Sequence, residues 1–413
     1  MIVPAPKLNK VNYLLIYFIS VSFFLYLKPF GYLREIGNGA LILFFDLIWL
    51  YYGYTKNWNQ LNSNSLELKK YNRITWLILI SLIPSMFMAT ELFNQNFLQN
   101  LISYRNFSLF LAIPVLLKIQ PSEEEIVKAI NIYAIIFLVA CLLGTFYEEN
   151  LLVFSERDRA LLRHIARSNS SDFLYVPLQA CYEIITISLY FYCIKLWSRY
   201  SSSDMIRVLF LLSIFIIVQN RSTLFPALIF VGITLLKCKI NHWIKPLLII
   251  TVGSIAVYLS IDIIDGLLHQ TQKEFNNNYD PRFLALRYFL DIKGRTIPEI
   301  LFGTGNISFQ TSSYVEKLQA HNIHYSDVGF IGFWHQFGIL PIIIFIYFLI
   351  KAALSHLQPW NSRYLAIHIL ICGFTISYFE TPAHMLWFIL FYYQYARYNS
   401  LSISSNKILY YRC

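Results

Sequence analysis

Residues 204–237 read DMIRVLFLLSIFIIVQNRSTLFPALIFVGITLLK. Two apolar runs, 204–219 and 222–237, are separated by little more than Asn220 and Arg221. Neither run alternates in polarity, so a β-barrel strand pattern is excluded. Each is close to the length of a helix that crosses a hydrocarbon core of about 30 Å, and VQNRSTLFP then forms a tight hairpin at one membrane face. The same pattern recurs along the chain. The sequence predicts an all-α polytopic membrane protein with about twelve spanning helices in a single integral-membrane domain, 1–413. The spans are 11–28, 38–54, 74–92, 97–117, 126–146, 175–196, 204–219, 222–237, 243–264, 327–350, 362–379 and 381–396.

Composition agrees. Of the 413 residues, 57% are hydrophobic and only 14% charged, against about a quarter charged in soluble domains. The net charge of +10 does not indicate a nucleic-acid partner, because the basic residues lie mostly between apolar runs. Lys7, Lys10, Lys56, Lys69, Lys118, Lys195, Arg207, Lys237, Lys351 and Arg397 fall on one side of the threaded topology. The short loops of the other side carry only Lys28, Arg34 and Arg221. The positive-inside bias therefore puts both termini in the cytoplasm. The first apolar run lacks a small-residue cleavage site and reads as a span. The six cysteines avoid the two large polar loops and read as buried thiols.

The two larger loops, 147–174 and 265–326, lie on the periplasmic side. The first contains SERDRALLRHIAR, a short helix that Ser155 caps. Arg159, Arg163 and Arg167 form one stripe of it. They either snorkel at the membrane surface or meet lipid-linked phosphates. In the second loop, PRFLALRYFLDIKG predicts a helix that Asp280 caps, that has Pro281 at its first position and that ends at Gly294. It carries Arg282 and Arg287. LFGTGNISF, from Leu301, reads as a Gly-rich turn.

Four further residues are candidates for chemistry. Arg105 lies inside a predicted span, where a charge is expensive; it either pairs with a nearby carbonyl or carboxylate or serves function. Arg221 stands against the positive-inside bias at an outer hairpin and reads as functional. His321 and His324 close the second loop just before the tenth span. With Asp327 they form at most a partial metal site, since neither a Cys nor an HExxH accompanies them, and no metal is assigned.

Several short motifs resemble those of the integral-membrane O-antigen polymerase and O-antigen ligase superfamily. His321 followed by Gly332 resembles its His-x10-Gly element. Arg282-Phe-Leu-Ala-Leu286 resembles its Arg-x3-Leu element, Leu301-Phe-Gly-Thr-Gly305 its Gly-x-Gly turn, and Arg221-Ser-Thr its Arg-Ser/Thr span mouth. His335 departs from a position where the ligases often carry a second glycine. The resemblance implies a bacterial inner-membrane glycosyltransferase that acts on undecaprenyl-diphosphate-linked glycans, without cofactor, with a chain-length regulator, a flippase and membrane lipids as partners. It implies His321 as catalytic residue. It implies Arg221, Arg282, Arg287, Arg105, Arg159, Arg163 and His324 as diphosphate or glycan ligands. The polymerase branch is favoured; the alternatives are a ligase that joins polymer to lipid A core and, in a different class, a flippase of lipid-linked oligosaccharides.

Overall fold

The computed structural model describes residues 9–23, 35–56, 58, 65–146, 181–218, 221–238, 281–291, 295–306, 328–356, 358–374 and 382–404. Among them the chain is all helical, with no strand. The first apolar runs form α1 (Lys10–Phe23), α2 (Glu35–Thr55), α3 (Ser65–Ser81) and α4 (Ile83–Phe93). Then come α5 (Phe97–Ser103), a 3-10 helix (Arg105–Leu111), α6 (Ala112–Ile119) and α7 (Glu123–Phe146). A 3-10 turn (Tyr182–Ile184) leads into α8 (Ile185–Ser198), followed by the hairpin of α9 (Ser202–Val218) and α10 (Arg221–Lys237). Last come α11 (Pro281–Leu290), α12 (Ile297–Phe302), α13 (Gly329–Phe337), α14 (Ile339–Leu354), α15 (Trp360–Cys372) and α16 (Pro382–Ser404).

Local chemistry sets the boundaries. Asn94 and Gln120 end α4 and α6 in the left-handed conformation, which Asn adopts more readily than most residues. Asn96 and Gln99 make a reciprocal capping box at α5. Ser122 and Glu125 do the same at α7, where the backbone N–H of each residue donates to the other's side chain. Helix α16 is the axis of the bundle. It is buried on every face from Met385 to Ala396, as an apolar helix without a polar stripe must be. The outer helices instead turn large apolar side chains outward: Phe44, Leu77, Phe87, Ile135, Ile206, Phe225 and Tyr347 are all exposed.

Two predicted spans are broken. The run 97–117 bends by 60° between Phe97–Ser103 and Arg105–Ile119. The run 327–350 divides at Gly338 into α13 and α14. By length and composition, Lys69–Phe93 is the one described helix long and apolar enough to cross a membrane, and the bent pair makes a second if it is one span. The predicted span 243–264 and the loop 147–174 lie outside the described residues. The hairpin 204–219/222–237 and the start of α11 at Pro281 follow the sequence reading, although α11 ends at Leu290, before Gly294.

The two ends of the bundle differ. At one end, cations lie over aromatic rings: Lys56 over Trp58, Lys118 over Tyr54, Arg207 over Tyr192, Lys237 over Trp197, Lys351 over Tyr347 and Arg363 over Trp360. Glu123 ties this end together by accepting from Asn361 and Tyr398. The other end holds the starts of α8, α10, α13 and α16.

Candidate active site

Two polar centres occupy that second end, and α13 connects them. The first is the turn Gly303–Asn306. Gly303 and Gly338 both have positive φ, and a Cβ on either would run into backbone of the other's segment: the Gln336 carbonyl for Gly303, the Leu301 carbonyl for Gly338. Only glycine allows two backbones to cross this closely. The N–H groups of Thr304 and Gly305 donate to the carbonyls of His335 and Gln336 (both 2.8 Å). Thr304 Oγ1 lies 3.2 Å from His335 Nδ1, and Trp334 Nε1 donates to the Ile300 carbonyl (3.0 Å). His335 is buried, with the Phe289 ring of α11 edge-on at 4.8 Å. Phe289 and Ala285 pack on Val328, and Arg295 donates to the Phe289 carbonyl just beyond the end of α11.

Asn306 joins this turn to the bend beside Arg105. Its side chain donates to the Ser103 carbonyl (2.7 Å) and its backbone N–H to Tyr104 Oη (3.1 Å). Tyr104 Oη also bonds Ser85 Oγ (2.7 Å), and Gln95 Nε2 donates to both Asn100 Oδ1 and the Asn306 carbonyl. The Ser103 carbonyl freed at the bend is thereby served by a side chain from across the bundle. Arg105 itself is half-buried and donates to the Ile102 carbonyl (3.3 Å).

The second centre lies where α8, α10, α15 and α16 meet. Helices α8 and α10 run parallel, with Tyr190 against Phe230 and Lys237 over Trp197. His368 of α15 lies between Tyr190 Oη and the backbone of Thr223, and its ring meets Trp387 edge-on. One turn before Trp387, His384 Nε2 stands 3.0 Å from Glu183 Oε1. Helix α13 starts against this centre, since Phe330 N–H donates to the Gly373 carbonyl (2.7 Å).

Among the sequence-predicted residues, Arg105 and the Gly-rich turn are brought together, and Arg287 is exposed on α11, which packs on α13. Arg221 opens α10 and Arg282 stands in the first turn of α11, each described by its backbone alone. Arg159, Arg163, His321 and His324 lie outside the described residues. The sequence reading gives no role to Asn306, Glu183 or His384, and notes His335 only as a departure from the ligase pattern. Glu183 and His384 carried a legible signal, an ionisable residue inside a predicted span, which had been applied to Arg105 alone. Among the described residues no cluster of three or more His, Cys, Asp and Glu side chains has metal-binding geometry. Among the described residues Cys141, Cys181, Cys193, Cys238 and Cys372 are buried. No protein-family model matches the chain, and no curated protein is detectably similar to it.

Proposed function

We propose that the chain is a polytopic inner-membrane glycosyltransferase of about twelve spans that polymerises undecaprenyl-diphosphate-linked oligosaccharide repeats on the periplasmic side. The carrying observation is that the Gly303–Asn306 turn joins the Arg105 bend to α13, on which the Arg-bearing α11 packs; α10 opens at Arg221. The opposite end carries the ring of cations and aromatics that suits a cytoplasmic interface. The exposed apolar faces between them suit lipid.

The chemistry fits these residue types. The donor's leaving group is a diphosphate, so the site needs fixed cations and a positioned acceptor hydroxyl. Arg221, with Arg282 or Arg287, offers planar forks for phosphate oxygens, and a partly dry pocket strengthens their hold on developing negative charge. His321 serves as base or positions the acceptor. A flippase of the same lipid-linked substrate is the second reading, and the two broken helices favour it.

A gel of lipopolysaccharide from a strain lacking this chain separates the readings. A single repeat on core is the expected outcome. Unligated polymer on the carrier lipid means a ligase, and absence of periplasmic lipid-linked repeat means a flippase. Within the same assay Arg221→Ala should abolish polymer at wild-type protein levels, and Arg221→Lys should restore part of it, because Lys lacks the bidentate fork. Full polymer from Arg221→Ala would remove that residue from the site.

A further inference from the structure

The end of the bundle where cations lie over aromatic rings holds one pair of cations with no acid to share. Lys237, the last residue of α10, lies over two rings, its Nζ 4.3 Å from the centre of Trp197 and 5.1 Å from that of Trp360. Arg363, in the opening turn of α15, also lies over Trp360, at 4.2 Å. The two charges therefore stand no further apart than those distances to the shared ring allow. Elsewhere at this end Asp204 serves both Lys195 (3.6 Å) and Arg207 (3.0 Å). Among the described residues neither Lys237 nor Arg363 reaches a carboxylate. Arg363 spends only Nε, on the Ala353 carbonyl (3.0 Å), and its terminal NH2 groups make no hydrogen bond among the described residues. Helix α15 starts at Trp360 without a side-chain cap, so its dipole adds to the positive field. Like charges held this close repel, and an anion between them turns the repulsion into attraction.

Both cations head apolar stripes. Phe225, Ile229, Ile233 and Lys237 recur at every fourth residue of α10, and Arg363, Ile367 and Ile371 do the same on α15. Phe225, Ile229, Ile367 and Ile371 are exposed. The two helices pack together, with the rings of Phe230 and Tyr364 centred 4.1 Å apart, so both stripes run from the same end. A soluble anion uses the cations and leaves the stripes bare, whereas a phospholipid uses both. We propose that Lys237 and Arg363 clamp the phosphate of an anionic phospholipid whose acyl chains lie along these stripes. Arg363 supplies a planar fork for two phosphate oxygens and Lys237 a point charge. The Trp360 indole between them suits the level of the headgroups. Basic residues between helices at the mouth of a bundle recognise anionic headgroups in this way. The proposal rests on the membrane-spanning part of the reading above and not on glycosyl transfer.

The test places full-length protein in phosphatidylcholine bilayers and titrates in brominated lipid, which quenches the fluorescence of tryptophans it touches. Brominated phosphatidylglycerol should bind at least about tenfold more tightly than brominated phosphatidylcholine. Lys237→Gln changes an exposed side chain that lies over the two rings, and by itself should cut that preference by about threefold or more. Lys237→Gln with Arg363→Gln should abolish it. Lys195→Gln removes a charge from the same end but leaves the pair intact, and should keep the preference. Equal binding of the two lipids by the wild type, a preference that survives the double change, or a loss as large in Lys195→Gln would each overturn the proposal. So would release of the brominated phosphatidylglycerol by millimolar glycerol phosphate, which marks a site for free phosphate. A wild-type protein quenched by neither lipid would overturn the spanning reading itself, whereas equal quenching by both would overturn this proposal alone.

Discussion

Single positions carry the closest tolerances in this bundle. Gly338 stands at φ +82° with the Leu301 carbonyl where its Cβ would be. With ψ near 180°, this is a backbone region essentially reserved for glycine, and alanine there meets a penalty of about 1–3 kcal/mol before the collision adds to it. Gly338→Ala should therefore lower the unfolding midpoint markedly or abolish the monodisperse peak in detergent chromatography. Gly232 is the control: nothing lies within 4 Å of an added Cβ in the middle of α10, and alanine favours a helix interior by about 0.5–1 kcal/mol. Gly232→Ala should be neutral or stabilising. At the opposite end, burial pushes the Glu123 carboxyl above its usual range, against the bonds from Tyr398 and Asn361 and the charge of Arg397. The folded state then keeps a proton that the unfolded chain has lost. This group's contribution is full below the ordinary carboxylate pKa and falls away as pH rises through the raised one. Glu123→Gln removes that slope, so its unfolding midpoint relative to wild type should rise between pH 4 and pH 7.5. A difference that is flat with pH would show that the carboxyl titrates alike in the folded and the unfolded chain.

Elements were legible in the sequence to the extent that neighbours in sequence decide them. The α9–α10 hairpin follows from two apolar runs around Asn220 and Arg221, and α11 starts at Pro281 because Pro suits a first helical turn. The breaks were not legible. Nothing local marks Tyr104 as a bend, since neither Pro nor Gly stands there; the partner that serves it is Asn306, some two hundred residues away. Gly338 became a break because Gly303 crosses it, and Glu183 meets His384 only through the packing of α16. Asn306 thus sets the geometry of α5, the 3-10 helix and Arg105 together. Asn306→Ala removes the bond to the Ser103 carbonyl, which should cost about 0.5–1.5 kcal/mol net, and should reduce polymer more than Gln99→Ala at the exposed cap of α5. Equal effects of the two changes would separate the turn from function.

At the scale of the molecule, the proposal fixes a direction. Cysteine placed at Ser170 or Ser312, with the native cysteines removed, should react with an impermeant maleimide in whole cells whose outer membrane is permeabilised. Cysteine at Ser65 should stay unlabelled, and labelling there alone would invert the topology. The bend at Tyr104 has a further consequence for how such a chain is made. Its first limb, Phe97–Ser103, has 7 residues, and its second, Arg105–Ile119, opens on a cation. A helix that crosses the bilayer needs about 20 residues, so neither limb inserts on its own hydrophobicity. Lys69–Phe93, the long apolar helix immediately upstream, is the natural companion. On the proposed topology, residues 69–119 would enter the membrane as one hairpin, inserted as a pair, and the bend would close only after Asn306 had been synthesised.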